Sequence, residues 1–410
     1  MGLVAAVRKS RALLAGVLGA GLLAAGTAGA APISILFVGN SYTFGRVDPV
    51  MSYNAANVRD LTAPSQGGNF TNPSGSNPYE PHPWGGVAGI FKQFTVEAGL
   101  DYDVAISARN AASLRGQYLN SNGASWDLLG NLASQRWDKV VLQDLSDGPL
   151  PYGKTSNAVP AYFTAYATKL AEYVRTQTAG YSFRERDLFG GTNAACATMT
   201  GATQASCGTL RTITGNPNAN SATQVYLYET WARPNLVNGG FVTNTDATTG
   251  AVTRTTTPIT GPYASLEEMT ADLRAAYNGL ATNNPLFAGV APAGDAFLLA
   301  VQNGIATRNM FASDALTDGK IDLWFDDGTH ASKYGSYLAA LTLFGRITGR
   351  NPLSLGVSEQ AAMDLGISQT DALALQTIAA TTLIPEPASL GLLLPALLGL
   401  RRRRASRPTA

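Results

Sequence analysis

The sequence predicts an α/β fold in which helices cover both faces of a central parallel sheet of about five strands, a three-layer α/β/α sandwich. Short apolar runs, typical of strands buried on both faces, begin with residues 33–38. Longer segments with apolar residues at helical spacing lie between these runs. Because strands that alternate with helices form βαβ units, this order favours a parallel sheet. A chain of 410 residues, 45% hydrophobic and 14% charged, is long enough for a large buried core.

The individual elements follow from these runs and stripes. Strands are predicted at residues 33–38, 102–107, 139–143, 224–229 and 287–291. Helices are predicted at residues 86–98, 159–175, 265–280 and 332–347. The third helix begins with a capping box, in which Ser265 is followed three positions later by Glu268.

The N-terminus has the pattern of a secretory signal peptide. Basic residues between positions 8 and 11 precede an apolar run at 12–26, and Ala-Gly-Ala at 28–30 fits a small-residue cleavage site. A membrane anchor is the alternative, but the run is shorter than the roughly 20 residues that span a bilayer. We therefore expect residues 1–30 to be removed during export and one α/β domain to follow at 31–357. Residues 358–384 are weakly helical and predict either a terminal helix or a spacer.

Three segments interrupt the alternation of strands and helices, and long loops of this kind usually shape a binding site. Residues 60–83 are rich in Gly, Pro, Asn and Ser and predict a long loop, whereas a hairpin is one option for the Thr-rich residues 239–262. Residues 184–221 contain the two cysteines of the chain, Cys196 and Cys207. In an exported protein these predict a disulfide. Two thiols without a nearby histidine are too few ligands for a metal, so no metal site is predicted.

Ser41 is the best candidate for a nucleophile. The apolar strand at 33–38 leads into Gly39-Asn40-Ser41, which places the hydroxyl at the carboxyl end of the first strand, where open α/β sheets bind ligands. A serine needs an adjacent base to act as a nucleophile. A simple helix N-cap is the alternative role for Ser41.

His330 is the candidate for that base. It is one of two histidines in the chain and lies in Asp326-Asp327-Gly328-Thr329-His330, just before the last predicted helix. A turn at the glycine allows the carboxylate of Asp327 to reach one ring nitrogen, while the other faces the serine. The alternative is an Asp-x-x-His cap at the start of the helix.

Gly39-Asn40-Ser41 and Asp327-Gly328-Thr329-His330 together resemble the first and last conserved blocks of the SGNH (GDSL-like) hydrolases, in this order and over most of residues 33–350. One difference is Asn40, where many members have Asp. The resemblance implies an SGNH, flavodoxin-like sandwich, with Ser41 as nucleophile and the pair Asp327 and His330 as its acid–base partner. It implies no cofactor.

The two middle blocks of that family, which complete the oxyanion hole, match less well. Arg109-Asn110-Ala111-Ala112-Ser113-Leu114 resembles the second block with Asn110 and Ala111 in place of glycines. Gln143 stands where the third block usually has an asparagine, and a glutamine amide can donate to an oxyanion as well. The resemblance therefore implies an oxyanion hole formed by the amides of Ser41 and of the Asn110–Ala111 segment, together with the side chain of Gln143.

Three further residues are candidates for the rim of the substrate site. Glu229 and Trp231 lie at the end of the predicted strand at 224–229, and a packed aromatic at a strand end is the alternative for this pair. His82 lies in the long loop at 60–83, where an ordinary loop histidine is the alternative.

The C-terminus, residues 385–410, closely resembles the PEP-CTERM sorting signal of Gram-negative bacteria. Pro-Glu-Pro at 385–387 precedes an apolar run at 388–400 and a cluster of arginines at 401–404. The resemblance implies transient membrane insertion through this tail and removal by an exosortase-type protease. The protein would then reach the periplasm, the cell surface or the extracellular matrix. A plain tail anchor is the alternative.

Charge and motifs together narrow the function. Without residues 1–30 and 385–410, Lys and Arg fall from 29 to 21 and Asp and Glu from 28 to 27, a mildly acidic balance of about −6 that argues against nucleic-acid binding. The expected function is an exported serine esterase for small acyl esters, with O-acetyl groups on carbohydrate as a narrower expectation from family analogy. The alternative is a catalytically degenerate surface protein of the same fold that binds exopolysaccharide.

Overall fold

The computed structural model describes residues 31–384 apart from residues 47, 63–68, 72–78, 82, 122–126, 238–239, 246–251, 258–260 and 316. The predicted signal peptide, the predicted sorting tail and His82 lie outside the described residues. None of the helices that the structure describes combines the length and the hydrophobicity that a membrane span requires.

Twelve strands are described along the chain. They are β1 (Ile33–Gly39), β2 (Arg59–Asp60), β3 (Asn69–Thr71), β4 (Tyr79–Pro81), β5 (Tyr102–Ala108), β6 (Lys139–Leu142), β7 (Tyr181–Arg184), β8 (Leu210–Ile213), β9 (Gln224–Tyr228), β10 (Gly240–Thr245), β11 (Val252–Thr257) and β12 (Phe287–Ala291). Six of them form one parallel sheet in the order β12-β9-β6-β1-β5-β2. The prediction of a central parallel sheet is confirmed, and the sixth strand is the two-residue edge strand β2, which is too short to leave a pattern in the sequence.

The part of the chain that the structure describes contains thirteen α-helices, which connect and cover the strands. They are α1 (Ser41–Phe44), α2 (Gly86–Glu97), α3 (Leu114–Leu119), α4 (Leu128–Ala133), α5 (Pro160–Arg175), α6 (Glu185–Leu188), α7 (Asn193–Thr200), α8 (Gln204–Gly208), α9 (Leu266–Asn283), α10 (Ala293–Gln302), α11 (Lys333–Thr348), α12 (Gln360–Asp364) and α13 (Gln369–Thr382). The four predicted helices correspond to α2, α5, α9 and α11. As predicted, the side chain of Ser265 caps α9 by accepting a hydrogen bond from the amide of Glu268 at 3.1 Å.

Aromatic contacts show how the helices form two layers. On one face of the sheet, Phe37 of β1 packs edge-on against Phe91 of α2, and Phe94 of α2 packs against Phe344 of α11. A second group of helices is joined by contact between Phe163 of α5 and Tyr277 of α9. The central strand β1 is buried at every position after Ile33, as the continuous apolar run requires for a strand covered on both faces.

The three insertions carry more structure than a loop. Residues 60–83, predicted as a long loop, include the short antiparallel pair β3 and β4. Strands β10 and β11 form the hairpin that was one option for residues 239–262. The insertion at 184–221 contains α6, α7 and α8, and the predicted disulfide joins Cys196 to Cys207 with their Cα atoms 6.0 Å apart.

The segment after residue 357 is helical and packed. Leu375 and Ile378 of α13 are fully buried, and α13 lies against α10 and α11. The side chain of Gln376 donates to the hydroxyl of Tyr337 in α11 and to the carbonyl of Gly356. Of the two options that the sequence left open for this segment, a terminal helix is the one observed.

Candidate active site

Ser41 lies where β1 ends and the chain turns into α1. The side chain of Asn40 caps this short helix by accepting a hydrogen bond from the amide of Tyr42 at 3.1 Å. Ser41 is therefore the first helical residue and not the cap. It is 6% exposed, and among the described contacts its hydroxyl bonds to His330.

The acid–base residues complete a continuous chain of hydrogen bonds with Ser41. The Oγ of Ser41 lies 2.8 Å from Nε2 of His330, and Nδ1 of His330 lies 2.5 Å from Oδ2 of Asp327. The other carboxylate oxygen, Oδ1, accepts the backbone amides of Thr329 and His330 at 2.8 and 2.9 Å. The three residues that the sequence singled out are thus brought together in the order that nucleophilic catalysis requires.

The loop that carries Asp327 and His330, here called the Asp–His loop, is shaped by Gly328. This glycine has a φ of +62°, and a Cβ there would lie 2.6 Å from Cζ of Phe311. The helix that follows is capped by Ser332, whose hydroxyl accepts the amides of Tyr334 and Gly335. Asp327 therefore bonds to the loop and to the imidazole and does not cap α11.

The environment of Asp327 keeps it ionised. Burial alone would raise the pKa of this carboxyl. Hydrogen bonds from the ring and amide of His330 and from the amide of Thr329, with the attraction of the imidazolium, outweigh burial and lower the pKa below its ordinary value. A carboxylate in this state fixes the imidazole with its proton on Nδ1, which leaves the lone pair of Nε2 facing Ser41.

Asn40 joins the turn after β1 to the two neighbouring strand ends. Its Nδ2 donates to the carbonyl of Ala112, which follows β5, at 3.1 Å and to the carbonyl of Asp144, which follows β6, at 3.2 Å. With its Oδ1 accepting from Tyr42, the amide uses two donors and one acceptor. An aspartate, common at this place in the SGNH family, has no proton to donate to the two carbonyl groups when ionised.

Gln143 does not contribute to an oxyanion hole, and that prediction is corrected by the structure. The side chain is fully buried, and its Oε1 accepts the amide of Asn40 and the hydroxyl of Thr43, both at 2.9 Å. Its Nε2 contacts the carbonyl of Asp144. The amide fits because residue 39 is glycine, since a Cβ there would lie 2.5 Å from Oε1 of Gln143. The side chain of Gln143 therefore supports the turn at Gly39-Asn40-Ser41, here called the nucleophile turn.

The other predicted oxyanion segment is placed beside the turn. Ala111 is exposed and has a φ of +52°, a left-handed conformation that glycine adopts more easily and that matches the glycine of the family block. Asn110 is half-buried. The segment is tied to the site by the bond from Asn40 to Ala112 and by the amide of Leu114, which donates to Oδ1 of Asp144 at 2.7 Å.

Glu229 and Trp231 do not line a substrate rim, and this prediction is corrected too. Trp231 has no exposed surface and donates through Nε1 to the carbonyl of Thr329 at 3.0 Å. Glu229 is 1% exposed, and its Oε2 accepts the amide of Asp295 at the start of α10. Burial, together with repulsion from the carboxylate of Asp295, raises the pKa of Glu229 well above its ordinary range. Both residues lie beneath the site.

The structure adds residues to the site that the sequence did not reveal. Arg233 reaches the hydroxyls of Ser146 and Thr329 at 3.2 and 3.3 Å and pairs with the carboxylate of Asp147 at 3.5 Å. Tyr42, the neighbour of the nucleophile, donates to the carbonyl of Thr329 at 2.6 Å. Adjacency to Ser41 is the only signal that could have found Tyr42. Arg233 has none, because Ser146 and Thr329 lie 87 and 96 positions away from it in the chain.

The described residues contain no group of three or more His, Cys, Asp or Glu side chains that could hold a metal ion. The three hydrogen-bonded side chains, Ser41, His330 and Asp327, are a nucleophile, a base and an acid. The chemistry that this arrangement supports directly is transfer of an acyl group to a serine hydroxyl.

Comparisons with known proteins add solved structures only. No protein-family model and no curated protein matches the sequence. The chain is similar to a DUF4886 family protein from Bacteroides uniformis, with 15% identity, a TM-score of 0.41, and 87% of this chain and 97% of the other covered. It is also similar to a proposed SGNH hydrolase from Slackia heliotrinireducens, with 18% identity, a TM-score of 0.37, and 77% of this chain and 100% of the other covered. A third similar structure is Est24, a carbohydrate acetylesterase from Sinorhizobium meliloti, with 14% identity, a TM-score of 0.35, and 77% of this chain and 99% of the other covered.

Proposed function

We propose that the protein is a serine esterase of the SGNH (GDSL-like) type that hydrolyses small acyl esters. The observation that carries the proposal is the unbroken hydrogen-bond chain from Ser41 through His330 to Asp327, with distances of 2.8 and 2.5 Å. The two motifs that carry these residues, Gly39-Asn40-Ser41 and Asp327-Gly328-Thr329-His330, also resemble the first and last motifs of that family and occur in the same order. The lowered pKa of Asp327 supports the role of this residue as the ionised partner of the imidazole.

The reaction follows from the order of the hydrogen bonds that join the three side chains. As the Oγ of Ser41 attacks the ester carbonyl carbon, its proton passes to Nε2 of His330, and the carbonyl π electrons move to the oxygen. When the tetrahedral intermediate collapses, the bond to the alkoxy oxygen breaks, and His330 gives that oxygen its proton. Water then repeats the cycle on the acyl-serine, so that a carboxylic acid and free Ser41 result. Asp327 stabilises the imidazolium at each step and stays ionised.

The oxyanion is assigned to backbone amides. The amide of Ser41 has no acceptor among the described residues, and the Asn110–Ala111 segment adjoins the same turn. Since Gln143 is committed elsewhere, the hole lacks the side-chain donor that the family usually has. Loss of one such donor typically raises the barrier by roughly 3–4 kcal/mol, so we expect a slow enzyme.

The narrower parts of the proposal rest on sequence alone. O-acetyl groups on carbohydrate are the proposed substrates, by analogy with the family and with the polysaccharide setting of PEP-CTERM proteins. We also propose export through residues 1–30 and tail removal by an exosortase-type protease. Mass spectrometry of the mature termini from the native host tests both, because cleavage after Ala30 and loss of the tail are the expected results.

The activity is tested with purified residues 31–384. We expect hydrolysis of p-nitrophenyl acetate and covalent labelling by a fluorophosphonate probe, and we expect Ser41→Ala and His330→Ala to lose both. Wild-type protein that shows neither, or Ser41→Ala with full activity, contradicts the proposal. A panel of acetylated sugars and longer acyl esters then identifies the preferred acyl group.

The buried side chain of Gln143 favours one second candidate, a degenerate SGNH-fold protein that binds exopolysaccharide without turnover. In that case wild-type protein and Ser41→Ala would bind acetylated polysaccharide with the same affinity, and neither would react with the fluorophosphonate. Fluorophosphonate labelling of the wild type but not of Ser41→Ala would support the enzyme over the binding protein.

A further inference from the structure

The carbonyl oxygen of Thr329, the residue just before His330, accepts two side-chain hydrogen bonds. The hydroxyl of Tyr42 donates to it at 2.6 Å and Nε1 of Trp231 donates at 3.0 Å. A carbonyl oxygen has two lone pairs, and here each has a partner. The peptide unit that leads into His330 is thus held from the side opposite to Asp327.

Both donors are held rigidly. The rings of Tyr42 and Trp231 stack with centroids 4.1 Å apart and planes within 2° of parallel, and Phe297 of α10 stacks on the other face of Trp231 at 4.7 Å. Phe297 in turn meets Trp324 edge-on at 5.7 Å. Tyr42, Trp231 and Phe297 are each at most 4% exposed. Close-packed aromatic groups of this kind have little freedom to move a donor away from its acceptor.

Tyr42 also connects the two halves of the site. It follows Ser41 directly, and its hydroxyl bonds to the residue directly before His330, although the two segments lie 287 positions apart. Its ring lies edge-on to the imidazole of His330 at 5.7 Å. A shift of the Asp–His loop would therefore have to break a bond to the neighbour of the nucleophile.

We propose that the hydroxyl of Tyr42 and the indole N–H of Trp231 are positioning groups that fix the carbonyl of Thr329 and thereby set the distance between Nε2 of His330 and Oγ of Ser41. The inference rests on the proposed esterase function for its catalytic meaning. The geometric claim, that the imidazole is held through Thr329, stands apart from it. Neither side chain touches the ester in this assignment, so neither is a catalytic residue.

The hydroxyl of Tyr42 remains a donor over the working pH range. Burial, opposed in part by the charge of Arg233 and a hydrogen bond with Ser146, raises the pKa of Tyr42 far above its ordinary value. The group keeps its proton at any pH at which an esterase is assayed, so the contact with Thr329 is independent of pH.

Tyr42→Phe tests the inference with little disturbance, because the ring and its stack remain and only the hydroxyl is removed. We expect kcat for p-nitrophenyl acetate to fall by roughly 10- to 100-fold, as for a small misplacement of a catalytic group, with KM changed by less than about twofold. The rate of labelling by the fluorophosphonate should fall in parallel. Tyr173→Phe is the matched control, since Tyr173 is also buried and donates to a backbone carbonyl, that of Leu129 in α4, and it should leave kcat unchanged.

A second measurement does not depend on turnover. The chain has two histidines, so ¹⁵N-labelled histidine gives two sets of ring signals, and His330→Ala identifies the set from His330. We expect the proton on Nδ1 of His330 to shift and to exchange faster with water in Tyr42→Phe, and to stay unchanged in Tyr173→Phe. An unchanged His330 ring signal, or an unchanged kcat, in Tyr42→Phe overturns the positioning role.

The outcomes separate the two proposals. If the wild type neither turns over ester nor reacts with the probe, the esterase function fails, and the ring signal alone then decides whether Tyr42 holds the imidazole. If the wild type is active and Tyr42→Phe matches it, the function stands and the positioning role fails. Should Tyr42→Phe not fold, Trp231→Phe removes the other donor and is judged by the same two measurements.

Discussion

At the scale of single residues, the amide of Asn40 makes contacts that an aspartate, the residue common in the SGNH motif that this turn resembles, could not make. Its Nδ2 bonds to two carbonyl groups on neighbouring strand ends, and these contacts are buried or nearly so. An aspartate would set a carboxylate oxygen against the carbonyl oxygens of Ala112 and Asp144. Two donated hydrogen bonds would be lost, and the buried charge would keep the amide of Tyr42 as its partner.

We therefore expect Asn40→Asp to lower the free energy of unfolding by about 2–5 kcal/mol and to reduce esterase activity. Urea unfolding at pH 7 and the rate on p-nitrophenyl acetate measure the two effects. Asn131→Asp is the control, because Asn131 also donates to a carbonyl, that of Leu61, but lies in α4. It should destabilise the fold and leave the activity per folded molecule unchanged. Equal stability of Asn40→Asp and wild type would contradict this account.

Asp144 gives a prediction for pH. Burial raises its pKa to about 6, although the amides of Leu114 and Leu145 partly offset the shift. A carboxyl group whose pKa is raised by folding contributes stability at pH values below its unfolded pKa, and this stability is lost as the pH rises through about 6. Ionisation of Asp144 therefore destabilises the folded protein at neutral pH.

Asp144→Asn should remove that loss, since its amide oxygen can still accept the amide of Leu114. We expect the variant to gain stability over the wild type as the pH rises from 4 to 8, with about 3 kcal/mol as the upper limit. The free energy of unfolding of both proteins, measured at several pH values in this range, tests the claim. A difference that is the same at every pH would show that Asp144 does not titrate in this way.

At the scale of elements, the loop from Phe325 to His330 depends on one backbone conformation. The amide of Phe325 bonds to the carbonyl of His330 at 2.8 Å, and the amide of Gly328 bonds back to the carbonyl of Phe325 at 2.9 Å. With a φ of +62° and Phe311 closely packed, Gly328 has no room for a side chain. The reach of Asp327 to the imidazole follows from this tight turn.

Gly328→Ala should consequently lower kcat by at least 10-fold and cost roughly 1–3 kcal/mol of stability, through strain and the displacement of the loop. Gly319→Ala is the control for strain alone, because Gly319 has a φ of +74° and nothing within 4 Å of an added Cβ. That variant should show the stability loss of a left-handed alanine and retain its kcat. Similar kcat values for the two variants would mean that the loop tolerates the change.

The elements that local patterns define are predicted well from the sequence, whereas contacts between distant segments are not. Strands such as β1 and β12 were predicted within a residue of their ends, because apolar runs and glycines are local signals. The contacts that bury Trp231 beneath the Asp–His loop join residues 98 positions apart, so a rim position and a core position look alike in the sequence. Gln143 was misassigned for a related reason, since the space that accepts its side chain exists only because Gly39 lies beside it in the sheet.

At the scale of the whole molecule, the described fold extends beyond the residues that carry the family resemblance. Helix α13 follows them and buries Leu375 and Ile378 against α10 and α11. Helix α11 begins three residues after His330, so the packing that α13 provides supports the helix next to the Asp–His loop. The residues up to 384 form one core, and this determines where the chain can be shortened.

A chain truncated to residues 31–384 should therefore fold, whereas one truncated to 31–357 should not. Removing α13 takes away the burial of two large apolar side chains, worth about 2 kcal/mol each, and exposes the surface of α10 and α11 that they cover. The total, roughly 5 kcal/mol or more, is comparable to the whole stability of a typical domain.

Soluble yield, size-exclusion chromatography and the cooperativity of thermal unfolding compare the two chains. Leu375→Ala in the longer chain is the graded control, with an expected loss of about 2–5 kcal/mol and a retained fold. A shorter chain that is monomeric and unfolds cooperatively would show that α13 is a dispensable appendage.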